Sequence, residues 1–353
     1  MTSILTGKKL VKSQLDNTPK LPGIYRMLDQ EKRVIYIGKA KNLYKRLSQY
    51  TLELSTKNEM MISLTHNIDY NITDSEPSAL LLEAKLIKKF KPKFNILLKD
   101  DKSFPFIKLR EDHQYPQLLK YRGSDLSKGS FFGPFTSAKQ VEITLTELQK
   151  IFKLRSCSDN YFNSRTRPCL QYEIKRCYAP CVNKISKEDY QQLALQVKDF
   201  LTGKNKELQK NLSEQMEKLS LETKFEQAAE IRDRIKALSH IQLKSGIAAK
   251  NINNLDVIAI NQLNGLFIIE LSLYRVGQNC GSTSYFPDHI KEENINTVLE
   301  SFLLQFYQNK IPAESIIISH SIQNLNLIIE ALKKLHNKNV KISVPKKGYK
   351  YLL

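Results

Sequence analysis

The stretch from Gly23 to Arg46 restricts what this chain can fold into more than any other. It runs Gly23-Ile24-Tyr25, ten residues, Tyr36-Ile37-Gly38-Lys39, then Asn42-Leu43 and on to Arg46. Ile24-Tyr25 and Val34-Ile35-Tyr36-Ile37 are β-branched and aromatic, with polar Asp29-Gln30-Glu31-Lys32 between them, which is the pattern of a β-hairpin. A turn centred between Gln30 and Glu31 sets Tyr25 directly opposite Tyr36, with both side chains on one face. Gly38 ends the second strand, and Asn42 is placed to cap a helix carrying Arg46 and Tyr50 along one side. Two phenols, the Lys39 ammonium and the Arg46 guanidinium then converge, which suits an anionic substrate with a reacting phosphate. An aromatic cross-strand pair beside a solvated basic helix fits the same residues.

Upstream, residues 1 to about 20 are polar and read as partly helical. Asn67 to Thr73 alternates like a third strand, and Asp74-Ser75-Glu76-Pro77 opens a helix with proline in its first turn. That helix is apolar nearly all round, through Ala79, Leu80, Leu81, Leu82, Ala84, Leu86 and Ile87, and Glu83 is the only acid inside the run. Burying a lone carboxylate is costly, so Glu83 has to pair with a nearby lysine, reach an edge or hold a cation. Lys91-Pro92-Lys93-Phe94-Asn95 ends the helix, where Asn95 can turn its amide back toward the same face.

The chain has 353 residues, enough for two to four domains. Its 55 Lys and Arg against 36 Asp and Glu give a formal charge of +19. That favours a polyanionic partner, with nucleic acid first and an acidic membrane surface second. No run of 18 apolar residues and no apolar signal-peptide core occurs, so a cytoplasmic protein with no membrane span is expected. Cysteine usage agrees with a reducing compartment, because an odd count of five argues against a secreted disulfide framework. Four of the five, Cys157, Cys169, Cys177 and Cys181, follow a C-x11-C-x7-C-x3-C spacing. Thiolates so close in sequence suggest a metal centre, and the residues alone leave iron–sulfur and zinc both open. Arg155, Arg165, Arg167, Lys175 and Arg176 surround them and can touch DNA phosphates.

Phe104 to Tyr121 reads as short strands, and Ser137 to Phe152 and Ser186 to Leu201 as helices, with a break at Gly203. Two helical stripes come next, Leu208, Leu212, Met216, Leu219 and then Phe225, Ala228, Ile231, Ile235, Leu238, joined by a turn at Glu222-Thr223-Lys224. Such a hairpin either packs within the chain or offers its stripe to a partner. The last hundred residues read βββαβαβ, the order of an RNase H-like domain. Asp256 lies on its first strand, where such a nuclease keeps a metal ligand. The fourth strand ends in Ser319-His320, and Glu300 is too little to complete a two-metal set. The expectation is a catalytically inactive domain.

Gly23-Ile24-Tyr25 and Tyr36-Ile37-Gly38, with Lys39, Arg46, Glu83 and Asn95 at these intervals, resemble the GIY-YIG nuclease domain. Leu97-Leu98-Lys99-Asp100-Asp101-Lys102-Ser103 is similar to the UvrC family, a component of the bacterial UvrABC excision-repair nuclease. So are Arg167-Pro168-Cys169-Leu170, Arg176-Cys177 and Ala179-Pro180-Cys181, while Phe225-Glu226-Gln227-Ala228-Ala229 to Arg232-Asp233 resembles the UVR motif. The resemblance implies that Glu83 binds one Mg2+ (or Mn2+), Arg46 contacts the scissile phosphate, and Lys39 holds a tyrosine and water network. Tyr25 or Tyr36 would be the general base, with its phenol pKa lowered by nearby cations, and Tyr50 and Asn95 would support them. Cys157, Cys169, Cys177 and Cys181 would hold a 4Fe–4S cluster, with zinc as the alternative. The hairpin at 204–240 would dock on UvrB, the partner component of the same nuclease.

The expected chain is α+β and multidomain: a GIY-YIG domain at 1–100, an iron–sulfur module at 101–200, a UVR hairpin at 201–242 and an inactive RNase H-like domain at 250–353. The expected activity is incision of damaged double-stranded DNA 3′ to a lesion, in complex with UvrB. Members of the family usually continue into an active RNase H-like nuclease and a helix-hairpin-helix tandem. This chain stops at Leu353, so 5′ incision is not expected of it. The competing readings are a stand-alone structure-specific GIY-YIG nuclease and a non-catalytic DNA-binding scaffold.

Overall fold

The structure, a computed structural model, describes residues 7–98, 103–123, 125, 129–244, 254–288 and 293–345. Lys99 to Lys102 of the segment singled out above lie outside the described residues. The chain divides into two compact units, one of Met1–Asp101, Asp256–Leu271 and Ser284–Leu353, the other of Lys102–Leu255 and Ser272–Thr283.

The first hundred residues form α1 (Gly7–Leu15), β1 (Gly23–Leu28), β2 (Val34–Ala40), α2 (Leu43–Gln49), α3 (Thr56–Ser63), β3 (Asn67–Ile72) and α4 (Glu76–Phe90). The sheet order is β2-β1-β3, with β1 antiparallel to both neighbours. The hairpin forms as expected, but its register differs from the one a turn at Gln30-Glu31 implies. Tyr25 pairs with Gly38, and Tyr36 pairs with Met27. The loop sets this register: Asp29 Oδ1 accepts from the backbone N–H groups of Glu31 and Arg33, both at 2.9 Å, Lys32 takes a φ of 60°, and the ladder shifts between Met27 and Leu28. Because the displacement is two residues, Tyr25 and Tyr36 keep to one face of the sheet.

Both glycines of the hairpin are dictated by close approach. A Cβ on Gly38 would lie 2.4 Å from the Tyr25 hydroxyl oxygen, and one on Gly23 would lie 2.4 Å from the carbonyl oxygen of Asn71. Tyr25 thus packs flat over Gly38 into a core shared with Met27, Leu43, Leu47, Met61 and Phe94.

Ser75 caps α4 by accepting from the Ser78 N–H, and Pro77 sits in its first turn. The helix is apolar nearly all round because it is covered on two sides. One side packs on β1 and β2, the other on α11 (Ile295–Phe306) and α12 (Leu325–His336) of the same unit. Gln308 Nε2 donates to the Leu81 carbonyl at 3.0 Å, and Lys334 Nζ donates to Asp74 Oδ2 at 2.8 Å and Ser78 Oγ at 2.6 Å.

In the second unit, β4 (Phe106–Arg110), β5 (Gln117–Tyr121) and β6 (Ser130–Phe132) form a sheet of order β5-β4-β6. Then come α5 (Ala138–Phe152), α6 (Asp159–Asn163), α7 (Leu170–Glu173), α8 (Lys187–Leu201), α9 (Asn205–Leu221) and α10 (Phe225–Lys244). Arg155, only 1% exposed, donates to the carbonyls of Tyr115 (2.7 Å) and Cys157 (3.3 Å) and to Asp159 Oδ1 (2.8 Å). It is a buried structural cation that organises the chain around the first cysteine, rather than a surface group facing DNA.

The α9–α10 hairpin turns at Glu222-Thr223-Lys224, with Thr223 at a φ of 61°. Its apolar stripe is only partly open. Leu208, Leu212, Ala228, Ile231 and Leu238 are buried, whereas Phe225 is 65% and Leu221 86% exposed at the tip. The free apolar surface therefore sits at the turn and not along Ala228 and Ile231.

The remaining elements are β7 (Asn254–Leu263), β8 (Leu266–Arg275), β9 (Gln278–Tyr285), α11, β10 (Ser315–Ile318), α12 and β11 (Lys341–Ser343), in sheet order β11-β10-β7-β8-β9. The βββαβαβ succession read from the sequence is the one observed. Gly38→Ala should destabilise the chain by about 1–3 kcal/mol in urea unfolding, as overpacking against a fixed ring does. A wild-type midpoint would mean that the Tyr25 ring is not confined there.

Candidate active site

The Tyr25 side chain is fully buried, and its hydroxyl has two partners. It lies 2.7 Å from the Tyr50 hydroxyl and accepts from Arg46 Nε at 3.3 Å. Asn42 caps α2 by accepting from the Lys45 N–H at 2.9 Å, which fixes the start of the helix and so the place of Arg46. The Arg46 guanidinium lies over the Tyr50 ring at 5.7 Å and donates to Gln49 Oε1 at 2.9 Å. Tyr36 is half-buried, with its ring 6.0 Å from that of Tyr25.

Glu83 projects from α4 toward the end of β2, where its Oε1 accepts from the Lys39 backbone N–H at 3.0 Å. Burial raises its carboxyl to about 7, against the lowering pull of Lys39 and Arg46, and the charge of Glu300 adds to the rise. Asn95 does turn back, but onto the backbone: its Oδ1 accepts from the Ile37 N–H at 2.9 Å and its Nδ2 donates to the Ile37 carbonyl at 2.8 Å. With both ends of its amide bound to Ile37, Asn95 holds the strand between Tyr36 and Gly38 in place.

A cavity of about 760 Å3 gathers these groups, lined by Tyr36, Lys39, Arg46 and Glu83 together with Lys41, Lys45 and Asn324. Tyr36 and Glu83 also line a second cleft of about 330 Å3 that contains Asn95. Of the seven site residues read from the sequence, Tyr36, Lys39, Arg46 and Glu83 reach the main cavity, and Tyr25, Tyr50 and Asn95 brace them. Lys41, Lys45 and Asn324 were missed. The first two had a signal, their place in the basic stretch on either side of Asn42; Asn324 had none, being brought in by the packing of α12 on α4.

Burial first, then the neighbouring Tyr50, raises both Tyr25 and Tyr36 well above the ordinary value of 10, and Arg46 offsets only part of it. Burial beside other tyrosines disfavours the phenolate, and one guanidinium does not reverse that.

In the second unit, Cys177 is pushed up to about 11 by burial and by the charges of Cys157, Cys169 and Cys181. Cys181 is raised by burial and by the charges of Cys157 and Cys169. The four thiols therefore share one neighbourhood. Among the described residues, however, no group of three or more His, Cys, Asp or Glu side chains is arranged to hold a metal ion. Asp256 is 1% exposed. Its Oδ2 accepts from the Tyr307 hydroxyl at 2.7 Å and the Ala313 N–H at 3.2 Å.

The hairpin, its capped helix and the carboxylate on α4 define a GIY-YIG domain, and the UvrC-like GIY-YIG domain model matches residues 21–96. Models for the UvrC/Cho excinuclease middle domain, the UvrB/uvrC motif and the UvrC ribonuclease H-like domain match 104–200, 206–241 and 254–353. UvrABC system protein C of Rickettsia africae (strain ESF-5) is 60% identical over 352 residues, 99% of this chain and 55% of that protein. The same-named protein of Rickettsia bellii (strain RML369-C) is 59% identical over 355 residues, 100% of this chain and 56% of that protein. The GIY-YIG N-terminal endonuclease domain of UvrC from Thermotoga maritima, solved with magnesium, is 33% identical; the match covers 24% of this chain and 94% of that one, with a TM-score of 0.23. The chain belongs to the UvrC family, and it spans about half the length of the relatives it matches.

Glu83 gives the site a pH signature. The folded chain binds its proton more tightly than the unfolded chain, because its carboxyl titrates at about 7 instead of 4.5. Stability is therefore lost as pH rises between these two values, and the loss is complete above 7. Without divalent cations at pH 8, Glu83→Gln should be more stable than wild type by on the order of 1–3 kcal/mol, with the gap closing toward pH 4.5. A difference that does not change with pH would assign the shift to another group.

Proposed function

We propose that this chain is a DNA-repair endonuclease subunit that hydrolyses one phosphodiester in damaged double-stranded DNA, on the 3′ side of a lesion, in complex with UvrB. The observation that carries the reading is the cavity in which a sunken carboxylate faces a tyrosine, a guanidinium and a lysine. Glu83 is the residue that would hold Mg2+ (or Mn2+), and one carboxylate is enough for an ion that keeps most of its waters. When bound, that ion supplies a Lewis acid for the phosphoryl oxygens and lowers the pKa of water and phenol near it.

Arg46, steadied by Tyr25 and Gln49, stabilises negative charge on the phosphoryl group. Tyr36 lines the cavity beside Glu83, whereas the Tyr25 hydroxyl is committed to Tyr50 and Arg46. Tyr36 is therefore the general base that takes the proton of the attacking water, and Tyr25 is a positioning residue. Lys39, Lys41 and Lys45 steer the phosphate backbone into the cavity.

Cys157, Cys169, Cys177 and Cys181, which share one neighbourhood, are the candidate donors for a 4Fe–4S cluster, with zinc as the alternative. Leu221 and Phe225 at the tip of the helical hairpin are the docking point for UvrB. The RNase H-like segment is non-catalytic, a reading supported by Asp256, which is spent on Tyr307 and Ala313 instead of facing a site. The basic charge and the braced cavity favour a nuclease over a scaffold with no activity.

A nicking assay on lesion-bearing DNA with UvrB present tests the core of the reading. Glu83→Gln should abolish divalent-dependent nicking while DNA binding persists, and a variant that nicks normally would remove Glu83 from the site. Leu221→Ala with Phe225→Ala should weaken UvrB binding by about 1–4 kcal/mol without touching the nuclease cavity; unchanged affinity would move the docking point elsewhere. Protein purified without oxygen should carry about four irons per chain, and stoichiometric zinc would replace the cluster with the alternative metal.

A further inference from the structure

Asn324 lies far along the chain from the GIY-YIG segment, yet it lines the main cavity with Glu83, Lys39 and Arg46. It stands at the start of α12, where an asparagine ordinarily turns its side chain to the first-turn N–H groups. Asn324 makes no such cap. Its Nδ2 donates to Glu300 Oε2 at 3.0 Å, and its backbone N–H donates to Glu300 Oε1 at 3.2 Å. A carboxylate only accepts, so the two ends of the amide are distinguished: the NH2 belongs to Glu300, and the carbonyl oxygen is left for another donor.

Glu300 comes from α11, and α11 and α12 both pack on α4, the helix that carries Glu83. Lys334 anchors α12 to the first turn of α4, and Gln308, just beyond α11, anchors that side to its middle. Besides Glu83, the charged groups lining the cavity are four cations and Glu76, and cations offer no acceptor to the waters of a hydrated ion; Glu300 stands behind Asn324. Such waters need oriented acceptors as much as the ion needs its ligand.

We propose that Glu300 and Asn324 form an outer wall of the cation site, with Asn324 Oδ1 accepting from waters of the ion held by Glu83 and Glu300 fixing the amide and adding negative charge. This rests on the reading of Glu83 as the cation ligand. In consequence, the RNase H-like segment is part of the nuclease site rather than a passive neighbour.

Mn2+ binding, followed by electron paramagnetic resonance on the whole chain without DNA, tests this apart from catalysis. Asn324→Ala and Glu300→Gln should each weaken Mn2+ binding about 10-fold, and Glu83→Gln should remove the site. Glu300→Gln keeps the shape and an acceptor for Asn324, so it reads the charge even if Asn324→Ala perturbs folding, which a melting curve reports. In the Glu83→Gln background, neither change should have a further effect. Wild-type affinity in both the Asn324 and Glu300 variants, with Glu83→Gln impaired, would overturn the wall and leave Glu83 as the ligand. Wild-type affinity in Glu83→Gln would overturn the cation reading itself.

Discussion

The contact on which the candidate site depends is the buried hydroxyl of Tyr25, 2.7 Å from Tyr50 and in reach of Arg46. A phenol sunk this deeply needs a polar partner, because an unpaired buried hydroxyl is costly. Meeting that need ties β1 to α2 and aims the guanidinium. The hydroxyl can lie there only because Gly38 has no side chain. Gly38, Tyr25 and Arg46 are thus one packing problem, and a change at any of them disturbs the others.

The same logic separates side chains that face the cavity from side chains that brace it. Tyr36 and Glu83 line open space, whereas Asn95 spends both ends of its amide on Ile37. The raised carboxyl of Glu83 and the raised phenols have one main origin, burial that disfavours their charged forms. A divalent ion bound as proposed would relieve the carboxylate and the phenols together.

Much of this was legible in the sequence, for reasons tied to particular residues. Val34 to Ile37 and Ile24-Tyr25 specify strands, Ser75 and Asn42 specify helix starts, and the hydrophobic periods of the last hundred residues give βββαβαβ. What was not legible came from geometry that no local pattern encodes. The hairpin register depends on Asp29 bonding to its own loop, which moved Tyr25 from opposite Tyr36 to opposite Gly38. The stripe of α10 looked like one surface, but Ala228 and Ile231 are buried in the packing of the hairpin. Arg155 read as a surface base near the cysteines, yet it is among the most buried side chains. Asn324 reaches the cavity only through the packing of α12 on α4, a contact between distant segments.

At the centre of the proposed chemistry is one divalent ion against Glu83, in the cavity shared by Tyr36, Arg46 and Asn324. Anomalous diffraction from crystals soaked in Mn2+ addresses it directly. The expected result is one strong anomalous peak at coordinating distance from the Glu83 carboxylate, on the side facing that cavity. A peak placed elsewhere in the nuclease unit, with none at Glu83, would contradict it.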